Sequence, residues 1–180
     1  MRLKKVLYIL LALLLIPLSL GIYSYSLPKT FFIPVQDADE KDWNAKSFWY
    51  YPWGNSVTHK GVDIFAKKGK PVLAATSGMV IKKGEGGNGG KFVVVLGPNM
   101  VLHYYAHLDS YTVSSGDRVK AGEQIGTVGN TGNAQGKAPH LHYSMVDILP
   151  RFSRADTAIQ GKRKMWYRNP IPYLKYEKSF

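Results

Sequence analysis

A chain of 180 residues that opens on an apolar stretch leaves roughly 150 for a folded body, about the size of one ordinary domain. Apolar residues make up 45% and charged residues 20%, which excludes wholesale disorder; the absence of cysteine excludes disulfides, a thiolate metal site and lipid attachment through cysteine. The net charge is +12, and setting aside Arg2, Lys4 and Lys5 leaves most of it on the folded part, so an anionic partner is expected.

The first element is a short basic start, 1–5, followed by Leu- and Ile-rich residues 6–23 without a charge, the pattern of an export signal. Its length is near the minimum that spans a bilayer as a helix. The segment ends in Gly21-Ile22-Tyr23-Ser24-Tyr25-Ser26 without a small-x-small cleavage site, so 1–26 is read as a retained signal anchor, with a cleaved signal peptide as the alternative. The basic start stays cytoplasmic and the domain lies outside, which removes nucleic acid from the partners and makes the membrane one of them.

Residues 27–54 hold Pro28, Pro34, Pro52 and an aromatic cluster including Trp43, Trp49 and Trp53, and are read as linker and domain edge. The remainder, 55–180, is a series of short β-rich runs separated by Gly, Pro, Asn and Asp, as in an antiparallel sheet or sandwich. Strands are predicted at 61–65, 71–75, 78–82, 92–96, 101–107, 124–128 and 141–146. The runs 92–96 and 101–107 should pair across the Gly97-Pro98-Asn99 turn. The glycine-rich stretch 84–90 is expected to be a mobile loop. A helix of one or two turns is expected near 153–160.

Five histidines carry the chemistry, at 59, 103, 107, 140 and 142. His140 and His142 lie two apart in an apolar run, so a strand presents both imidazoles on one side. His59 and Asp63 would stand about 13 Å apart if extended, at about 3.3 Å per residue, too far for one ion. The chain must therefore bend, and Gly61 allows it. Asp63 lies between Val62 and Ile64, where an uncompensated carboxylate is costly and a bound cation relieves that cost. His107 ends a predicted strand, as a candidate acid/base. His103, on the same face by alternation but deeper, is read as structural. One carboxylate and two imidazoles make a three-donor set with a fourth tetrahedral position open, the form of a catalytic metal site. No HExxH is present, so histidine must supply the acid/base group.

His59-x-x-x-Asp63, Tyr105-Ala106-His107-Leu108 and His140-Leu141-His142 together resemble the lysostaphin-type (M23) metallopeptidases that act on peptidoglycan. The glycine-punctuated run 115–126, Gly129-Asn130-Thr131-Gly132 and the ending 169–174 resemble the family as well. The resemblance implies a mainly β fold, an antiparallel sheet or sandwich of the duplicated hybrid motif type, after one N-terminal transmembrane or signal helix. It implies Zn2+ held by His59, Asp63 and His142, with His107 and His140 as the catalytic histidines. It implies a zinc-dependent endopeptidase cutting stem or cross-link peptides of peptidoglycan. The place implied is the cell envelope: inner-membrane anchored facing the periplasm, or secreted if the N-terminus is cleaved. Ser144 departs from the acidic residue many members carry there, and 151–168 is a basic insertion. The rival readings are a non-catalytic wall-binding or hydrolase-activating protein on the same scaffold, and a lipoyl-type carrier or membrane-fusion adaptor, suggested by the run 116–126, that leaves His59, Asp63, His140 and His142 unexplained. A regulatory envelope protein is left open as a further partner.

Overall fold

The structure, a computed structural model, describes residues 2–174 and 178–179. It begins with α1 (Arg2–Ser26), whose apolar side chains from Val6 to Ile22 are largely exposed. The helix is long and apolar enough to cross a membrane; at 1.5 Å per residue it measures about 37 Å, against about 30 Å of hydrocarbon. Only its last turns meet the body. Ser24 is fully buried there: its hydroxyl donates to the Gly97 carbonyl at 2.6 Å and accepts the Met100 N–H at 2.7 Å.

The segment read as linker and domain edge packs closely on the body. It forms β1 (Thr30–Phe31), buries Phe31, Val35 and Trp43, and bridges Val35 to Val72 and Trp43 to Ile64. Then follow β2 (Val62–Phe65), β3 (Pro71–Leu73), β4 (Gly78–Gly86), β5 (Gly90–Leu96), β6 (Val101–Tyr111), β7 (Arg118–Val119), β8 (Gln124–Val128), β9 (His140–Asp147) and β10 (Tyr167–Arg168). The short helix α2 (Ile171–Leu174) and β11 (Lys178–Ser179), paired with β1, complete the described residues.

Among the described residues nine strands join in one antiparallel sheet, in the order β10-β9-β6-β5-β4-β7, with β2 on β9, β8 on β6 and β3 on β8. One edge of β9 lies along β6; its other edge takes β2 at one end and β10 at the other. Alternation supplies the core: Val62, Ile64, Val93, Val95, Tyr105, Leu141 and Tyr143 are buried on its inner side. The two buried tyrosines are not orphaned. Tyr105 Oη accepts the Ala75 N–H at 2.8 Å, and the Tyr143 hydroxyl lies 2.6 Å from His103 Nδ1.

All seven predicted strands form, and 92–96 pairs with 101–107 as expected. Two expectations fail. The 84–90 stretch is not a loop: β4 runs to Gly86 and β5 starts at Gly90, with Gly84, Glu85 and Gly86 opposite Phe92, Lys91 and Gly90. A ladder needs only backbone groups, the Phe92 ring lies over Gly84, and positive φ at Gly86, Gly87 and Gly90 closes a tight hairpin. Near 153–160 there is no α-helix but 3-10 turns at Phe152–Arg154 and Gly161–Trp166. Local side-chain bonds win there: Arg154 is drawn to Asp147, and Asp156 takes the Ala158 N–H.

Candidate active site

Register brings the first two groups together. Asp63 on β2 stands opposite His142 on β9, and His142 stands opposite Ala106 on β6. Residues directly opposite share a face, so Asp63 Oδ1 comes within 2.8 Å of His142 Nδ1. His59 reaches the same point from the preceding turn. The chain bends at Gly61, and there a side chain would also collide: an added Cβ would stand 2.6 Å from Ser144 Oγ and 3.0 Å from His142 Cε1. His59 Nε2 is consequently 3.0 Å from Asp63 Oδ1 and 3.1 Å from His142 Nδ1.

Proton bookkeeping decides what this cluster is. A backbone carbonyl can only accept, so His59 Nδ1, 3.0 Å from the Ser47 carbonyl, must carry its ring's proton. A neutral His59 then points the Nε2 lone pair at the Asp63 carboxylate, acceptor against acceptor. Protonating both nitrogens would place a charge on a fully buried ring. A cation between the three donor atoms removes the conflict. Ligands about 2.0–2.1 Å from a tetrahedral zinc lie about 3.3 Å apart, close to the 2.8–3.1 Å found here. The donor set fits zinc. Burial pushes the Asp63 carboxyl up, but the His142 and His59 nitrogens on it outweigh that and hold it well below the usual carboxylate range. Burial lowers His142, so its ring is neutral near pH 7.

His140 and His107 flank the cluster. His140 emerges on the same side of β9 as His142, with Nδ1 2.8 Å from the Ala138 carbonyl and Nε2 3.8 Å from Asp63 Oδ2. His107 arrives differently. Strict alternation along β6 would place it with His103 and Tyr105, away from Tyr104 and Ala106. Its φ of +63 breaks the alternation and turns the ring into the cleft, where it lies 5.0 Å from His140 between ring centres. His103 stays behind, buried and bonded to Tyr143. The expectation that His103 and His107 share a face therefore fails, because a left-handed residue interrupts the strand. His107 Nδ1 meets the Thr131 carbonyl at 2.9 Å. By the same carbonyl argument, His107 and His140 each keep an Nε2 lone pair directed into the cleft. Burial lowers the His107 ring to about 4, with His142 and His140 adding to the effect.

The cleft around these groups encloses about 780 Å³. Trp53, Phe65, Tyr104 and Tyr167 line it. Trp53 stacks on His59 with ring centres 4.1 Å apart. The insertion supplies Tyr167 to this lining, and it is tied to the segment before β2 where Gln160 accepts the Thr58 hydroxyl and the Ile159 carbonyl accepts the Trp49 indole N–H. Ser144 puts its hydroxyl 2.9 Å from His142 Nε2. Sequence reasoning missed Trp53 and the orienting carbonyls of Ser47, Thr131 and Ala138. Trp53 was visible only as one member of an aromatic cluster, and a carbonyl leaves no mark in residue identity.

Known proteins share the sequence and the fold of this chain. The glycyl-glycine endopeptidase ALE-1 of Staphylococcus capitis is 43% identical over 128 residues, 69% of this chain and 32% of that one. The peptidoglycan DD-endopeptidase ShyC of Vibrio cholerae is 39% identical over 93 residues, 52% of this chain and 21% of that one. The catalytic domain of lysostaphin from Staphylococcus simulans superposes with a TM-score of 0.59 at 32% identity, covering 72% of this chain and 90% of that domain. The chain spans about a fifth to a third of the length of these curated relatives. The model of peptidase family M23 matches residues 57–152, more than half of the sequence, and the chain belongs to that family.

Proposed function

We propose that the chain is a zinc-dependent endopeptidase that hydrolyses peptide bonds in the stem or cross-link peptides of peptidoglycan. The observation that carries the reading is the convergence of His59 Nε2, Asp63 Oδ1 and His142 Nδ1 beside two imidazoles whose Nε2 atoms remain uncommitted. His59, Asp63 and His142 would hold the metal. When bound, zinc supplies Lewis acidity to a carbonyl oxygen and lowers the pKa of a water at its open position towards 7.

The remaining chemistry belongs to the chain. One of the two nitrogens, His107 Nε2 or His140 Nε2, accepts the proton of the attacking water; the imidazolium so formed hydrogen-bonds the developing oxyanion and then passes that one proton to the leaving amine. Their Nδ1–H bonds to Thr131 and Ala138 fix the tautomer this requires. Trp53, Tyr104 and Tyr167 offer faces against which an extended peptide can lie. Members of the family are zinc-dependent, and the named activities of ALE-1 and ShyC support a wall-peptide substrate.

The same reading places the protein in the cell envelope, with α1 retained as an anchor and the domain on the outer side of the cytoplasmic membrane. The burial of Ser24 against Gly97 and Met100 supports retention, since cleavage after it would strip those groups of their partner. The test is digestion of purified peptidoglycan with and without chelator, read by mass spectrometry of the released muropeptides. New peptide termini that vanish with chelator and return with zinc are expected. Intact muropeptides at full zinc loading would replace this reading with a non-catalytic wall-binding protein.

A further inference from the structure

A second cavity lies at the end of the domain where α1 arrives. It encloses about 600 Å³, and its lining includes Lys29, Thr76, Asn99, His103, Arg154 and Arg168. Arg154 and Arg168 both bond the buried Asp147, so two guanidinium groups share one carboxylate. Lys29 adds a third positive charge, three residues beyond the end of the helix. Arg154 engages Asp147 and the Tyr167 carbonyl through Nη1, which leaves other N–H groups to face the cavity.

The cavity also holds an unmet polar group. Thr76 is 6% exposed, and its Oγ1 has no hydrogen-bond partner among the described residues. A buried hydroxyl left this way is costly unless a ligand meets it. Its position ties the cavity to the helix. An added Cβ at Gly97 would stand 2.5 Å from Thr76 Oγ1 and 2.6 Å from His103 Nε2, and the Gly97 carbonyl is the one that accepts the Ser24 hydroxyl.

The outer surface beside this turn is apolar and basic together. Leu149 and Phe152 are 64% and 73% exposed and flank Arg151, and the Ile148 N–H donates to the Met100 carbonyl at 3.1 Å. Exposed apolar side chains next to cations, where a membrane-length helix ends, are the composition of a bilayer interface.

We infer that this cavity binds the phosphate of an anionic phospholipid headgroup, from the leaflet out of which α1 emerges. Lys29, Arg154 and Arg168 pair with the phosphate, Thr76 and Asn99 donate hydrogen bonds, and Leu149 and Phe152 rest at the headgroup boundary. The inference rests on the reading of α1 as a retained anchor. It gives the domain a second attachment beside the helix. His107 then lies six residues further along β6 from Val101, about 20 Å at 3.3 Å per residue, on the side away from the lipid.

The test uses the full chain in uncharged detergent, titrated calorimetrically with short-chain phosphatidylglycerol, short-chain phosphatidylcholine and inorganic phosphate. One phosphatidylglycerol site is expected, at least about tenfold tighter than for phosphatidylcholine, with phosphate competing. Thr76→Val and Lys29→Gln should each weaken it about fivefold, with muropeptide hydrolysis unchanged and the lipid-free thermal midpoint not lowered. Equal affinity for the two lipids, or variants that bind like the parent, would overturn the site. Phosphate binding without phosphatidylglycerol binding would overturn the lipid source and leave a free-anion site. Carbonate extraction of cell membranes separates the two readings. A chain that is extracted yet binds phosphatidylglycerol contradicts the anchor and the seat built on it; a chain that stays in the membrane without binding contradicts the cavity alone.

Discussion

Gly61 has no room for a side chain, because it passes against the part of β9 that carries His142 and Ser144. Gly61→Ala must therefore push that strand away from β2, at a cost of about 1–3 kcal/mol. A lower thermal midpoint together with weaker zinc retention on dialysis is the expected outcome; unchanged zinc affinity would show that the strand yields without moving its ligand. His140 differs, since it flanks the donor set without belonging to it. His140→Ala should lower hydrolysis by about 10²–10⁴-fold while elemental analysis still finds about one zinc per chain. Asp63→Ala should lose the metal itself, because an uncompensated pair of imidazoles remains.

His107 shows what an element can do that its sequence does not announce. Its left-handed φ turns one residue of β6 out of alternation and into the cleft. Asparagine tolerates that conformation better than most residues, so His107→Asn should keep the fold while losing activity by at least about 10²-fold. His107→Val should lose thermal stability as well, and circular-dichroism melting of the two variants checks the contrast. Strands and hairpin were legible in the sequence, because period-two alternation and turn residues are local signals; the choice of His59, Asp63 and His142 as a donor set came with the family resemblance. The flip at His107 was not legible, since it depends on the Gly89 carbonyl taking its N–H from a neighbouring hairpin. The closed hairpin at 84–90 was misread for a related reason: glycine's entropy suggested a loop, while the Phe92 ring over Gly84 is a contact across strands. The tautomer-setting carbonyls of Ser47, Thr131 and Ala138 are likewise products of the fold.

For the whole molecule, two buried groups outside the cleft add to the acid response of stability that the cleft residues already give. Burial, with Arg168 nearby, lowers His103 to about 3, whereas in the unfolded chain it takes up its proton near pH 6.5, about the ordinary value. The unfolded state therefore binds more protons below that pH, and stability, full above about pH 6.5, falls as pH drops towards 3. Asp147 acts with the same sign lower down. Burial raises it, but bonds from Arg168 and Arg154 prevail and lower it, so its contribution is present above about pH 3.9 and lost as its folded-state pKa is crossed. Thermal midpoints should decline from pH 7 to 4, and His103→Gln should flatten the upper part of that decline. An unflattened profile would assign the loss to other groups. The claim on which the rest stands is that His59, Asp63 and His142 hold one ion with a position left open between His107 and His140. Zinc K-edge X-ray absorption of the purified chain tests it most directly. Two imidazole nitrogens and light oxygen donors, one of them exchangeable with added phosphate, are predicted; a site closed by a further protein donor, or no bound zinc in protein that hydrolyses the wall, would contradict it.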